Sequence, residues 1–303
     1  MGDKAKAIIL GTGEATKRFI IKNSENGFID ILGVIPDNSV SEEDNRLFLD
    51  ELRNELGHDI AEYSFSEENI QKAEVAFSVE MRRFIPENYC NQFLILNCHG
   101  GLLPKWRGFS ANAWAIMNGE KNIGFTIHRV RPGMDDGEIY YQKVIPIAES
   151  QTYGDVHGIM LEAIASDTPK VLYEAARGIN KGKAQPKEGF VFCTKFNKKM
   201  GDISSFDKDA QYYVNLHRCM SKPLGTGIRF NYKGDIYEVG KAESGRNYGI
   251  LDYLGLTGKV VNIVDGKLYV KTRDNVIVLS DITKNGAVIR VEECFRNGNQ
   301  LGI

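Results

Sequence analysis

The feature that most narrows what this chain can fold into lies in its middle. Residues 93–96, Phe-Leu-Ile-Leu, are an unbroken apolar run that reads as a strand buried on both faces of a parallel sheet. The run delivers Asn97-Cys98-His99 and then Gly100 and Gly101. Polar side chains at the carboxyl end of such a strand stand in the ligand crevice of an open α/β sheet. Glycines there let backbone approach a ligand where a Cβ would clash. A second strand-like run, Ile123 to Val130, leads into the loop Pro132-Gly133-Met134-Asp135-Asp136-Gly137. An amide, an imidazole and a carboxylate brought together are the parts of an acyl-transfer site. The amide can bond a developing oxyanion, the imidazole can move a proton, and the carboxylate can hold the imidazole and raise its pKa. Spacing alone does not assign that chemistry, because Asn, His and Asp beside glycines also occur by chance.

The rest of the first half reads as alternating strands and helices. Lys4 to Leu10 is a first strand ended by Gly11-Thr12-Gly13, with a helix from Glu14 to Asn23. No third glycine follows at dinucleotide-binding spacing, so a tight turn without NAD is expected. Phe28 to Ile35 is a second strand, and Ser41 caps a helix through Leu56 with Asp44 in the capping-box position. Asp59 to Tyr63 reads as a short strand before the helical stretch Ser66 to Lys72, and Glu74 to Val79 as the next buried strand. Asp155 to Arg177 carries apolar residues at helical spacing.

The composition then changes. Lys181 to Glu188 is polar, with Gly and Pro, and reads as a linker. Ser205 is placed to cap a helix running to about Met220. Beyond it lie short β-branched and aromatic runs at 227–232, 236–239, 259–263, 267–272 and 276–282. Lys233-Gly234, Asp265-Gly266 and Asp274-Asn275 supply hairpin turns between them. A helix followed by about five short strands suggests a small barrel. The expected fold class is therefore α/β, a Rossmann-like parallel-sheet domain over residues 1–185. A linker follows over 186–201, and a smaller, mostly β, barrel-like domain covers 202–303.

Composition excludes some classes of function. With 303 residues, a formal charge of −2 and a pI near 6.3, the chain has no global attraction for phosphate backbones. No run is apolar for long enough to span a membrane or to act as a signal peptide. Five cysteines, at 90, 98, 193, 219 and 294, are odd in number and lack CxxC spacing. Reduced thiols and a cytoplasmic location follow as expectations, and Cys98 is not read as a nucleophile.

The run from Asn97 to Gly108, Asn-Cys-His-Gly-Gly-Leu-Leu-Pro-Lys-Trp-Arg-Gly, resembles the signature of formyltransferases that use N10-formyltetrahydrofolate. That family's pattern is Asn-x-His-x-Ser-Leu-Leu-Pro-x-x-Arg-Gly, followed later by an Asp-x-Gly loop. Asp135-Asp136-Gly137 fits the loop with Asp135 in the catalytic place and Asp136 as the rival carboxylate. Gly101 stands where the family usually has Ser. The resemblance is specific over roughly residues 74–147, and it implies Asn97, His99 and Asp135 as the catalytic three. It also implies a folate pocket with Met81, Arg82 and Arg83 on one wall and Arg131, Pro132, Gly133, Met134 and Asp135 on another. No metal is expected, since His99 and Asp135 lack an adjacent ligand pair such as His-x-x-x-His. The C-terminal part resembles, more weakly, the barrel-like domain of methionyl-tRNA formyltransferases and of some sugar N-formyltransferases.

The resemblance admits two acceptors. The expected one is the amine of a nucleotide-linked amino-deoxy sugar, a precursor of a cell-surface glycan such as the O-antigen of lipopolysaccharide. The alternative is methionyl-tRNA. An RNA-acting enzyme needs a basic face, and tRNA formyltransferases carry a basic insertion in the region matching residues 36–45. This chain has the acidic stretch Pro36 to Asp44 there, and its C-terminal domain is near charge balance. Lys105, Trp106 and Arg107 are the expected substrate-binding residues, a cation pair for a diphosphate and an indole to stack on a base or sugar. Arg107 reads equally well as an internal brace. Nucleic acid and membrane are not expected partners, and a homodimer is left open. A catalytically silent nucleotide-binding module is the third reading. His128, on the strand leading to Asp135, is in a position to line the pocket, whereas His58, His157 and His217 read as structural.

Overall fold

The computed structural model describes residues 3–25 and 27–302. It divides into two compact units. The first comprises Met1–Asn112, Asn122–Pro146 and His157–Thr194, and the second Ala113–Lys121, Ile147–Val156 and Lys195–Ile303.

In chain order the first elements are β1 (Ala5–Leu10), α1 (Glu14–Asn23), β2 (Ile29–Ile35), α2 (Glu42–Leu56), α3 (Glu67–Ile70), β3 (Val75–Ser78), α4 (Glu87–Gln92) and β4 (Ile95–His99). They are followed by β5 (Trp106–Gly108), α5 (Ala111–Met117), β6 (Asn122–Arg129), β7 (Ile139–Pro146), α6 (Tyr153–Ala176) and β8 (Val191–Cys193). The main sheet has the order β2-β1-β3-β4-β6-β7. β2, β1, β3 and β4 are parallel, while β6 and β7 are antiparallel additions at one edge. This is the Rossmann-like α/β arrangement expected from the sequence. Strands covered on both faces need continuous apolar runs, and Ile8, Leu10, Ile35, Ala76 and Ile95 form one buried cluster accordingly. Because β1 pairs with β2 on one side and β3 on the other, the chain reverses direction across the sheet at β1. Such a switch opens a crevice at the carboxyl ends of the strands.

The turn after β1 shows why it differs from a dinucleotide site. Glu80, just beyond β3, turns its carboxylate onto the first turn of α1, accepting from the backbone N–H of Ala15 at 2.8 Å and of Thr16 at 3.3 Å. The chain's own anion thus takes the donors that a phosphate would otherwise use. A Cβ at Gly13 would meet that carboxylate at 2.2 Å. Burial raises the Glu80 pKa against the pull of those two hydrogen bonds.

The second unit holds β9 (Asp202–Ile203), α7 (Ala210–Cys219), β10 (Ile228–Tyr232), β11 (Asp235–Ser244), β12 (Val260–Val264), β13 (Lys267–Lys271), β14 (Val276–Lys284), β15 (Ala287–Val288) and α8 (Val291–Cys294). The strand order is β12-β13-β14-β11-β10-β9, with β15 on β14. The C-terminal tail joins the two sides of this sheet. Val260 N–H donates to Asn299 O at 2.9 Å, Leu301 N–H to Gly258 O at 2.9 Å, and Gly302 N–H to Asn231 O at 3.1 Å. The tail therefore lies between β12 and β10, rolling the sheet toward a barrel around Phe206, Phe230, Tyr237 and Phe295.

Several local expectations change. Asp59 to Tyr63 forms only a bridge from Glu62 to Val34. Ser205 does not cap the helix, because Phe206 is drawn into the core and α7 starts only at Ala210. Lys233-Gly234 and Asp265-Gly266 are two-residue turns with both φ positive, as a type I′ hairpin requires. Asp274-Asn275 instead belongs to a longer turn closed by Thr272 N–H to Asn275 O. A further positive-φ pair, Asn285-Gly286, makes the β14–β15 hairpin.

Candidate active site

β4 and the loop after β6 bring Asn97, His99 and Asp135 together. Asn97 Oδ1 accepts from Ser78 Oγ at 2.9 Å, and its Nδ2 lies 3.2 Å from His128 Nε2. His99 is buried, with Nε2 2.6 Å from Trp106 O and Nδ1 3.4 Å from Asp135 Oδ2. The same Oδ2 accepts from Gly108 N–H at 2.7 Å, while Oδ1 lies 3.4 Å from His128 Nε2. Asp135 itself has φ 50°, a left-handed conformation that turns its carboxylate between the two imidazoles.

The carbonyl partners fix the tautomers. A carbonyl oxygen only accepts, so His99 carries its proton on Nε2, facing Trp106 O. His128 likewise carries its proton on Nδ1, 2.9 Å from Arg129 O. In their neutral forms, His99 Nδ1 and His128 Nε2 are then lone pairs that flank Asp135. The His128 lone pair is satisfied by the Asn97 amide, which leaves His99 Nδ1 as the place beside Asp135 where an added proton is best held.

Burial lowers the His99 pKa from its ordinary 6.5, outweighing the upward pull of Asp135, while His128 lowers it further. This reverses the expectation that Asp135 would raise it. In a site this enclosed, loss of water costs the imidazolium more than one carboxylate returns. For Asp135, burial pushes upward, but the two neighbouring imidazoles in their protonated forms, with a His128 Nε2–H able to donate, and the Gly108 N–H together bring its pKa down to about 2. Near neutral pH the pair is thus a neutral imidazole beside an ionised carboxylate. Burial pushes the Cys98 thiol up, away from the thiolate form a nucleophile needs.

These groups open onto a cavity of about 270 Å³. Met81, Arg82 and Arg83 form one wall, Arg131 to Asp135 another, and Asn97 and His99 contribute to the same lining. Apolar Met81, Ile85, Val130 and Met134 alternate with polar groups around it, a lining suited to a flat heterocycle with polar edges. Lys105, Trp106 and Arg107 are not on its walls. Trp106 is buried and holds His99 through its carbonyl. Arg107 is buried too, donating from Nη2 to Gln185 Oε1 at 2.8 Å, and Gln185 Nε2 donates in turn to Asp135 O at 2.8 Å and Gly137 O at 2.7 Å. Arg107 thereby braces the Asp135 loop. Lys105 is exposed, with Nζ 5.1 Å from the Trp106 ring centre.

Position 101 has no room for the serine of the family pattern. A Cβ there would lie 2.8 Å from His99 Nε2 and 2.6 Å from Ala111 Cβ. The turn is pinned instead from β6, where buried Thr126 Oγ1 donates to Gly101 O at 2.7 Å and accepts from Leu103 N–H at 3.2 Å. Thr126, His128, Ser78 and Gln185 are the positioning residues that sequence reasoning left unassigned or open. Thr126 and His128 did carry a signal: two polar residues two apart in an apolar strand share one face.

The family model described as "Formyl transferase" matches residues 53–174, the stretch that carries Asn97, His99 and Asp135. Over that stretch the chain is similar to the formyl transferase family. It is 30% identical over 193 residues to the methionyl-tRNA formyltransferase of Clostridioides difficile (strain 630), an alignment covering 62% of this chain and 58% of that relative. The match therefore spans less than two thirds of the relative's length. Among solved structures, the chain resembles the N-formyltransferase from Helicobacter canadensis in complex with folinic acid and dTDP-3-aminofucose. The TM-score is 0.64 at 17% identity, covering 92% of this chain and 100% of that one. A 4-N formyltransferase from Francisella tularensis gives 0.61 at 18% identity, over 78% and 96% of the two chains. At these identities the likeness concerns the fold, and it extends to both units. Among the described residues, no helix is long and apolar enough to cross a membrane, and no group of three or more His, Cys, Asp or Glu is arranged to hold a metal ion.

Proposed function

We propose that the chain is an N-formyltransferase acting on the amine of a nucleotide-linked amino-deoxy sugar, with N10-formyltetrahydrofolate as formyl donor. The observation that carries the reading is the convergence of Asn97, His99 and Asp135 on one cavity, with the imidazole neutral and the carboxylate ionised. Bound between the 81–83 wall and the 131–135 loop, N10-formyltetrahydrofolate supplies the formyl group. Asn97 retains an amide hydrogen beyond the one given to His128, and this donor meets the negative charge that develops on the formyl oxygen. His99 Nδ1 accepts the proton of the attacking amine as the new C–N bond forms, and the proton passes on to the departing N10. Asp135 holds the imidazolium while it exists, and Gly108 N–H and Gln185 keep the Asp135 loop in place.

A nucleotide sugar is favoured as acceptor by the acidic 36–44 stretch, whose Glu42, Glu43 and Asp44 are exposed at the start of α2. The dTDP-sugar complex of the Helicobacter canadensis neighbour supports the same reading. The product is then a precursor of a surface glycan such as an O-antigen. Methionyl-tRNA is the second reading, favoured by sequence relatives such as the Clostridioides difficile protein. Side-by-side assays of dTDP-, GDP- and UDP-linked amino sugars against methionyl-tRNA, read by mass of the product, separate the two.

A further inference from the structure

We infer that Phe190 and Phe192 form the surface on which the acceptor's nucleobase stacks, beside the catalytic cavity. This rests on the reading of the acceptor as a nucleoside-diphosphate sugar. Trp106, the ring expected for that task from sequence, is buried and committed to holding His99. The strand paired with it carries exposed rings instead. β8 runs parallel to β5, with Arg107 opposite Phe192 and Gly108 opposite Cys193. Phe190 and Phe192, two residues apart along an extended segment, face the same side. Their rings meet edge to face, with centroids 5.4 Å apart at 67°. They are 37% and 57% exposed, a costly arrangement for two large apolar rings with no role outside the chain.

Three further contacts tie this pair to the site. The Arg107 guanidinium lies 4.4 Å from the Phe190 ring centre, so it covers one face of that ring while reaching the Asp135 loop through Gln185. The Arg107 Nε–H is buried with no acceptor among the described residues, leaving the guanidinium a donor unused by the chain. At the end of β5, Phe109 N–H donates to Cys193 O at 3.0 Å, and Phe109, 43% exposed, forms part of the cavity rim. The ribbon that carries Phe190 and Phe192 therefore ends at Phe109 on the cavity rim. Exposed Lys105, whose carbonyl accepts from Val191 N–H at 2.6 Å, sets a positive charge on the same ribbon. Exposed aromatic faces with the positive charges of Lys105 and Arg107 beside them match a base and a diphosphate, and the end of the ribbon at Phe109 reaches the cavity where the amino sugar would react.

The test uses the full chain carrying Phe192→Ala, with Phe192→Trp as the conservative variant. Two readouts are taken: the acceptor KM in formyl transfer, and calorimetric Kd values for dTDP, UDP and GDP alone. Phe192→Ala is expected to raise the acceptor KM and the Kd of the preferred nucleotide about tenfold, the size of one lost base–aromatic stack. The KM for N10-formyltetrahydrofolate should not move, and Phe192→Trp should restore both values. Unchanged nucleotide Kd and acceptor KM in a variant that melts like wild type would overturn the assignment. So would a change confined to sedimentation, which would make the pair an interface between copies, or a change confined to methionyl-tRNA binding. If wild type formylates no nucleotide sugar, the acceptor reading fails by itself, and binding of dTDP, UDP or GDP still decides the role of the rings.

Discussion

The floor of the cavity and the ribbon beside it share the stretch 97–108, joined by Asp135 on the floor and by residues 190–193 on the ribbon, yet they are built on opposite terms. On the floor, Asn97, His99 and Asp135 are held by partners within the chain, from Ser78 and Trp106 to Gly108 and His128. On the ribbon, Lys105, Phe190 and Phe192 face outward. On the proposed reading, the contrast makes chemistry and acceptor choice separable. A group whose protonation state is set by buried neighbours tolerates no replacement, whereas a surface that binds by stacking can change without disturbing the proton pathway.

The largest effects should come from the floor. His99→Ala or Asp135→Ala is expected to lower kcat by about 10²–10⁴-fold, the usual worth of a general acid–base group. Folate affinity, measured by fluorescence titration, should largely survive. Asp136→Ala is the control for register: Asp136 is exposed, and a lethal effect there would move the catalytic carboxylate by one residue. Asn97→Ala should cost about 10²–10³-fold in kcat as an oxyanion donor is lost.

Gly101→Ser sharpens the comparison by restoring the residue of the family pattern at a position with no space for it. Crowding His99 should destabilise the fold by about 1–3 kcal/mol and lower kcat, seen as a reduced denaturation midpoint together with slower turnover. A variant as stable and active as wild type would show that the His99–Trp106 contact is dispensable. Smaller still is Gln185→Leu, which removes the donor to Asp135 O and Gly137 O. A loss of about 0.5–1.5 kcal/mol is expected, with kcat more affected than KM, because the residue positions the carboxylate and touches no substrate.

The pH profile probes the floor without mutation. A lowered His99 pKa means that the neutral base persists to more acidic pH, so activity is present above that pKa and lost as pH falls through it. The acidic limb of kcat should therefore lie below the ordinary imidazole value of 6.5. A limb above 7 would mean that Asp135, not burial, dominates His99.

What the sequence revealed follows the same division. The apolar run before Asn97 and the glycine-flanked Asp135 loop are legible because buried parallel strands and close backbone approach each restrict residue type. Lys233-Gly234 and Asp265-Gly266 were legible because type I′ turns demand positive φ. β7 was not anticipated: its exposed edge carries Tyr140, Gln142 and Lys143 in place of an apolar run. Ser78 and Gln185 were illegible for another reason. Each is a single polar residue in an ordinary segment, and its partner arrives from 19 or about 50 residues away in sequence. The turn away from Trp106 as a stacking ring depends likewise on burial created by long-range packing.

The most direct test of the account incubates the full chain with N10-formyltetrahydrofolate and a panel of dTDP-, GDP- and UDP-linked amino sugars, with methionyl-tRNA in parallel. Products are read by mass spectrometry. The account predicts the gain of one formyl group on at least one amino sugar, absent with His99→Ala. Efficient formylation of methionyl-tRNA with no turnover of any nucleotide sugar would contradict it.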